Sequence, residues 1–510
     1  MAAEKRELKQ SYLAGDPDLF AFAAWPWPLD DYAPLMAARD AAPVPRSLLV
    51  EALLSQNEEL PDSQVTRSQI ELLAAKTTYT VTTGHQVCLL GGPMFTLYKV
   101  ASTIALAQEL KAKYPQLDFV PVLWMATEDH DWEEVNHFHR SFTEKTTYPG
   151  TFQGPVGRHL LAPGIASLLS QGIPDAISSH YRPGRPMAEA FRGLMHRLFG
   201  RHGLVILDPD RPALKRAFAR QLRIELERQG MADPVHAATA RMEEMGFKPQ
   251  IHPREINLFY IGHGGRAQLE FTAGTFRLKD GSRQWSEAEI FEELEESPEN
   301  FSPNVALRPV YQESILPNLA VIGGWAEVGY WLQLKGGFER MGVPFPLLVP
   351  RLHATLLTRE QAAAMAELGL PPDSISEPLH TLNDRYLQQT WDEAPLAEAI
   401  HQVQKAYAGL AELVGSIDPT LATGIRAEQA RHSSSLEGLP KKVRKSIRNR
   451  NPLPYHQILA LKNAIEPENQ PQQRILNFTA FNSIDPLTLV DVILDHARNM
   501  KSSHQWITLP

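Results

Sequence analysis

The sequence predicts an α/β protein built on a parallel sheet, with a separate helical segment carrying a coiled-coil seam. Three observations lead there. Thr77 to Thr82 sets threonines at 77, 78, 80 and 82 with Tyr79 and Val81 in a strand-like run, and a loop of small and polar residues then leads into a helical stretch, Met94 to Lys113. Phe119 to Met125 follows as an apolar run of strand length, the signature of a strand buried on both faces; the three pieces together have the length of one strand–helix–strand unit. Far downstream, Leu396, Ile400, Val403, Tyr407, Leu410, Val414, Ile417 and Leu421 step alternately by 4 and 3 positions, the spacing of a coiled-coil seam.

A chain of 510 residues exceeds what one hydrophobic core serves, so two or three domains are expected. Its 43% hydrophobic and 21% charged residues are typical of a globular protein. The net charge of −9 argues against general nucleic-acid binding, which needs a basic surface. No apolar run reaches membrane-spanning length, and Met1 to Glu7 lacks the apolar core of a signal peptide. A single cysteine, Cys88, leaves no intrachain disulfide framework. The expectation is a cytoplasmic protein with no membrane and no nucleic-acid partner.

In chain order, residues 1 to about 75 read as proline-punctuated helices, with Trp25-Pro26-Trp27-Pro28 as an apolar plug. After the unit of residues 77–140 comes a glycine- and proline-rich stretch, then a helix near Met187 to Arg201, and Gly203 to Pro209 as a further buried strand. From Ile256 to Gly281 the period changes to two, which predicts an antiparallel ribbon. Its turn, Gly262-His263-Gly264-Gly265, resembles a dinucleotide loop only superficially, because a strand follows instead of a helix. No GxxxxGK[ST] phosphate loop is present. The expected division is a core over 1–376 with insertions at about 141–200 and 250–300, a helical coiled-coil domain over 377–468, and a C-terminal segment over 469–510. One buried seam side chain is worth ~1.5–3 kcal/mol, so the seam must face another helix, either in the same chain or in a second subunit.

Two loops concentrate the polar chemistry. Thr83-Gly84-His85-Gln86, with Gly91-Gly92-Pro93 beyond it, leads from strand to helix, where open α/β sheets hold their ligands. The second strand opens into Glu128-Asp129-His130-Asp131. A right-handed crossover brings both loops to one sheet edge, so they should converge on a single crevice. Gly84, His85, Gln86 and Gly92 are accordingly read as substrate contacts, the glycines allowing close backbone approach. Glu128, Asp129 and His130 are read as catalytic, with His130 or Glu128 as general base; the structural alternative makes Asp129 or Asp131 a helix N-cap. Cys88 reads as a small buried side chain. Lys99 could reach the site only by leaning back toward the helix start.

TTGHQVCLLGGPMFTLYK (82–99) and VPVLWMATEDHDWEEVNH (120–137) resemble the BshC family, the cysteine ligases of bacillithiol biosynthesis. GLVILDPD (203–210), INLFY (256–260) and the long block 302–351 fit the same family. Gln472 to Phe478 resembles its QERxxNF element, with Gln473 where the family carries glutamate. The resemblance implies a Rossmann-like core with inserted connecting segments and a coiled-coil domain that mediates homodimerisation. It also implies a reaction that joins the carboxyl group of L-cysteine to the amine of glucosaminyl-malate. ATP is the expected co-substrate, with magnesium entering only alongside the nucleotide and no protein metal site. Arg308, Gln312, Glu313, Glu327, Tyr330 and Arg351 are polar residues embedded in apolar segments: either they pair with one another, or Arg308 or Arg351 grips the malate carboxylates, with Gln312 and Tyr330 as further substrate contacts. The HIGH-type synthetase signature is missing, and Lys442 and Lys445, in the basic stretch 441–450, are the residues read as nucleotide contacts. Two rivals remain open: a metal-dependent hydrolase built on His130, His137 and His139, whose spacing is not HExxH, and a non-catalytic coiled-coil scaffold.

Overall fold

Five parallel strands form the central sheet: β1 (Thr78–His85), β2 (Asp118–Met125), β3 (Val205–Leu207), β6 (Asn318–Gly323) and β7 (Leu347–Pro350), in the order β7-β6-β1-β2-β3. The structure is a computed structural model that describes residues 6–499 and 503–510, apart from Phe142, Gln171, Gln229, His263, Gly264 and Ala273. Residues 1–5, and the two central residues of the ribbon turn, His263 and Gly264, lie outside the described residues. From β1 the chain steps outward through β2 to β3, then returns to the other side of β1 for β6 and β7. This is the Rossmann-like order, and its switch point lies between β1 and β6.

The threonines of β1 have a structural cause. Successive side chains in a strand face opposite ways, and Tyr79 and Val81 join an apolar cluster with Leu106, Ala107 and Leu110 of helix α1 (Phe95–Lys113). Thr80 and Thr82 face the other way and donate to Asn318 Oδ1 at 3.0 and 2.8 Å. That second face is covered by helix α3 (Arg308–Ile315), whose Tyr311 ring meets Trp124 of β2 edge-on at 5.1 Å. Strand β2, buried from Phe119 to Met125, thus sits between helices on both faces.

The expected antiparallel ribbon is present. Strands β4 (Leu258–Gly262) and β5 (Gly265–Thr272) pair within a second, five-stranded sheet. Helix α2 (Pro212–Arg228) follows β3, and helix α4 (Trp325–Leu332) follows β6.

Two compact units result: Met1–Ala354 with Gln473–Gln505, and Thr355–Gln472 with Trp506–Pro510. The sequence put the boundary at 376/377. It falls earlier because Leu357, Met365, Leu368, Leu370 and Ile375 share one apolar cluster with Leu382, Ile458, Leu461 and Ile465. In the second unit, helices α5 (Ala394–Gly415) and α6 (Pro419–Glu437) form an antiparallel hairpin, with Tyr407 stacked on His432, followed by α7 (Leu439–Arg450). The hairpin partly covers Leu396, Ile400, Tyr407 and Val414 of the seam, while Val403, Leu410, Ile417 and Leu421 stay 43–79% exposed. No helix among the described residues is long and apolar enough to cross a membrane.

Candidate functional site

The ends of β1 and β2 are in register, Gly84 opposite Trp124 and His85 opposite Met125, and the Ala126 amide donates to His85 O at 2.8 Å. Both polar loops therefore leave the sheet side by side. Gln86 joins them: its Nε2 donates to Asp129 Oδ2 at 2.6 Å and to Glu134 Oε2 at 2.8 Å. Asp129 Oδ1 also accepts from the His130 amide at 2.8 Å, and Asp131 caps the short helix Trp132–Val135, as the capping alternative expects. The expected convergence of the two loops is observed.

On the other side of β1, at the switch point, the charge is reversed. Arg308 begins α3, and its guanidinium lies over Gly84, where an added Cβ would sit 3.4 Å from Nη1. Its hydrogen-bond partners are neutral: Gln312 Oε1 at 3.1 Å and the Tyr330 hydroxyl at 3.3 Å. Lys99 does lean back along α1, donating to Gly84 O at 2.6 Å and pairing with Glu327 Oε1 at 2.7 Å. Glu327 Oε2 accepts from the Gly324 amide at the start of α4. Arg351 is buried nearby, held by Leu352 O and Gln473 Oε1, both at 2.7 Å, and burial lowers its pKa to about 10. Gly84, Gln86, Asp129, His130, Arg308 and Tyr330 all keep solvent-exposed surface.

Several residues picked from sequence do not face the crevice. The His85 ring turns inward, 2.7 Å from Thr96 Oγ1 and edge-on to Phe95, and burial holds its pKa well below the usual imidazole range. Gly92 has φ +71°, and a Cβ there would meet Cys88 Cβ at 2.8 Å; its carbonyl accepts from Asn477 Nδ2 at 2.6 Å. That glycine serves the loop's own conformation. Glu128 is buried and ion-paired with Lys215 of α2, a fully buried lysine that also donates to Phe301 O at 2.7 Å. Burial raises the Glu128 pKa while Lys215 opposes the rise. A base engaged in this way would leave a buried cation unpaired on leaving it. Gln312 is fully buried and reaches the crevice only through Arg308. Cys88 is buried, which pushes its thiol up to about 12 and leaves it unreactive.

His130 sits at the crevice, and its chemistry differs from the expected base. Arg266 of β5 directs Nη1 at His130 Nδ1 at 3.0 Å. A guanidinium only donates, so Nδ1 accepts and the neutral ring carries its proton on Nε2. Burial and the Arg266 charge hold its pKa below the ordinary value. His130, an exposed residue, therefore carries its donor on Nε2. Arg266 is fixed by Ser302 Oγ at 3.0 Å, Pro303 O at 2.9 Å and the Phe259 ring at 3.9 Å. His137 and His139 lie on a separate hairpin, rings 5.8 Å apart. Among the described residues no group of three or more His, Cys, Asp or Glu could hold a metal ion. Lys442 and Lys445 are exposed on α7 in the second unit.

Sequence reasoning missed Glu134, Lys215 and Arg266 as site-building residues; it named Glu327 only as an embedded polar residue and Asn477 only within the QERxxNF element. Glu134 alone carried a usable signal, one helical turn past the second loop.

The family description "Bacillithiol biosynthesis BshC, N-terminal Rossmann-like domain" matches residues 1–352, and "Bacillithiol biosynthesis BshC, C-terminal coiled-coil domain" matches residues 354–509. Among similar proteins, one from Flavobacterium johnsoniae, named "Putative cysteine ligase BshC", is 34% identical over 477 residues, covering 91% of this chain and 89% of that protein. Relatives of the same name from Cytophaga hutchinsonii and Bacillus mycoides are 34% and 28% identical, covering 88% and 91% of this chain and 87% and 91% of theirs. With both halves matched, and a sheet edge on which an acidic and a cationic side-chain cluster flank one strand, the chain belongs to the BshC family of bacillithiol biosynthesis.

Proposed function

We propose that the protein joins L-cysteine to glucosaminyl-malate through an amide bond, the last step of bacillithiol biosynthesis, with ATP as co-substrate and magnesium accompanying the nucleotide. The observation that carries this reading is the division of charge across the end of β1. Asp129 and Glu134, bracketed by Gln86, suit an ammonium group, while Arg308, lacking a carboxylate partner among the described residues, suits a carboxylate. Glucosaminyl-malate carries both an ammonium group and carboxylates.

The new bond joins cysteine's carboxyl carbon to the amine nitrogen, one carboxyl oxygen leaves with the group that ATP supplies, and the bound ammonium gives up two protons, one before attack and one as the amide forms. ATP supplies the group that turns the departing oxygen into a leaving group. In this reading Asp129 accepts the amine proton. His130, with its proton on Nε2, donates to an oxygen of the reacting carboxyl group. Arg308 holds a malate carboxylate above Gly84, and Arg351 adds positive potential behind it. Lys442 and Lys445 contact nucleotide phosphates; replacing both by Glu raises the KM for ATP, and an unchanged value removes them.

In this reading the protein is a homodimer whose partner covers Val403, Leu410, Ile417 and Leu421. Sedimentation should find a dimer that Leu410→Glu with Ile417→Glu converts to a monomer; a wild-type monomer would refute it. The activity itself is tested by incubating folded protein with both substrates and each nucleoside triphosphate. Mass spectrometry should find the sum of cysteine and glucosaminyl-malate less one water, formed in step with nucleotide consumption. No such adduct with any nucleotide overturns the proposal.

A further inference from the structure

We infer that Gln312, its amide fixed by the buried carboxylate of Glu313, is a positioning residue that aims Arg308 over Gly84 while leaving that guanidinium without a carboxylate partner. The inference rests on the substrate reading above and deepens it.

Arg308 and Gln312 lie one turn apart on α3, a spacing that brings side chains together. Gln312 has no solvent exposure, so its amide must be satisfied inside the protein. Its Oε1 accepts from Arg308 Nη1 at 3.1 Å and its Nε2 donates to Glu313 Oε1 at 2.9 Å. The amide cannot be turned around. A guanidinium only donates, and Glu313 Oε1 accepts at the same time from Asn318 Nδ2 at 2.8 Å. Asn318 is fixed in turn, because its Oδ1 accepts from Thr80 and Thr82 of β1. A polar ladder therefore runs under the sheet from the threonines of β1 through Asn318, Glu313 and Gln312 to the crevice. At its open end Arg308 bonds only to neutral oxygens, and no carboxylate among the described residues lies within 4.0 Å of it. Gln312 thus orients the guanidinium without neutralising it. A glutamate at 312 would form an ion pair there and remove the charge offered to substrate.

The test is a double-mutant cycle on the KM for glucosaminyl-malate. Arg308→Ala should raise KM by about 10- to 100-fold and Gln312→Leu by about tenfold, with kcat within about twofold of wild type. The double variant should match Arg308→Ala alone, since Gln312 acts through Arg308. Should Gln312→Leu fail to fold, as judged by its melting curve, Gln312→Glu serves instead and should raise KM by pairing with Arg308. A wild-type KM in the tested Gln312 variant, or single effects that simply multiply in the double variant, overturns the inference while Arg308 keeps its role. A wild-type KM in Arg308→Ala overturns the substrate reading itself, and the inference with it.

Discussion

The two sides of β1's carboxyl end make an instructive contrast. Toward β2, the polar groups stay partly exposed: Gln86, Asp129 and His130 on loops, and Glu134 on the short helix Trp132–Val135. Toward β6, Lys99 of α1 and Arg351, which directly follows β7, are buried, with Arg308 reaching out from the first turn of α3. The partly exposed carboxylates keep their water and can exchange protons. The cations opposite are held at fixed positions and create a standing positive potential. One side suits proton transfer and the other suits recognition.

Each side rests on its own buried carboxyl group, and altering that support sharpens the comparison. The largest effect is expected behind the acidic side. Lys215→Met leaves Glu128 buried without its partner, which should cost about 3–5 kcal/mol of stability in the first unit. Calorimetric unfolding checks this, and an unchanged transition would mean Glu128 is not held by charge.

A smaller, pH-dependent effect belongs to the cationic side. Burial raises the Glu313 carboxyl from 4.5 to about 7. A carboxyl with a raised folded pKa contributes stability that is fully present below its unfolded value, near 4.5, and is lost as pH rises through about 7. At about 1.4 kcal/mol per pKa unit, the loss approaches 3 kcal/mol by pH ~8. Glu313→Gln does not titrate, so its stability relative to wild type should improve by that amount between pH ~5 and ~8. Denaturation midpoints at both pH values measure it, and a pH-independent difference would contradict the burial argument.

How much of this could be read from the sequence follows from how far apart the partners lie. The β1–α1–β2 unit and its two converging loops are contiguous, and their strand ends, helix and polar loops were legible. The seam was legible too, although which of its side chains the hairpin would cover was not. His85 was misread because β1 seemed to end near Thr82. The strand runs on to His85, and alternation then puts that ring on the same face as Tyr79 and Val81, beneath α1. The switch point was invisible, since β1 and β6 are paired through residues such as Thr82 and Asn318, 236 positions apart. Arg266 escaped for a related reason: a residue on the ribbon gives no periodic sign that it will meet His130, 136 positions earlier. Periodicity reports which face a residue takes, and only long-range pairing reports what it meets there.

The division of labour across β1 is tested most directly by steady-state kinetics of Asp129→Asn and Arg308→Ala with glucosaminyl-malate varied. Asp129→Asn should lower kcat by about 100-fold or more, the range of a lost general base, with the malate contacts intact. Arg308→Ala should raise KM by about 10- to 100-fold with kcat nearly unchanged. If both variants alter the same parameter to the same extent, or neither alters either one, the two sides of the crevice do not have separate roles.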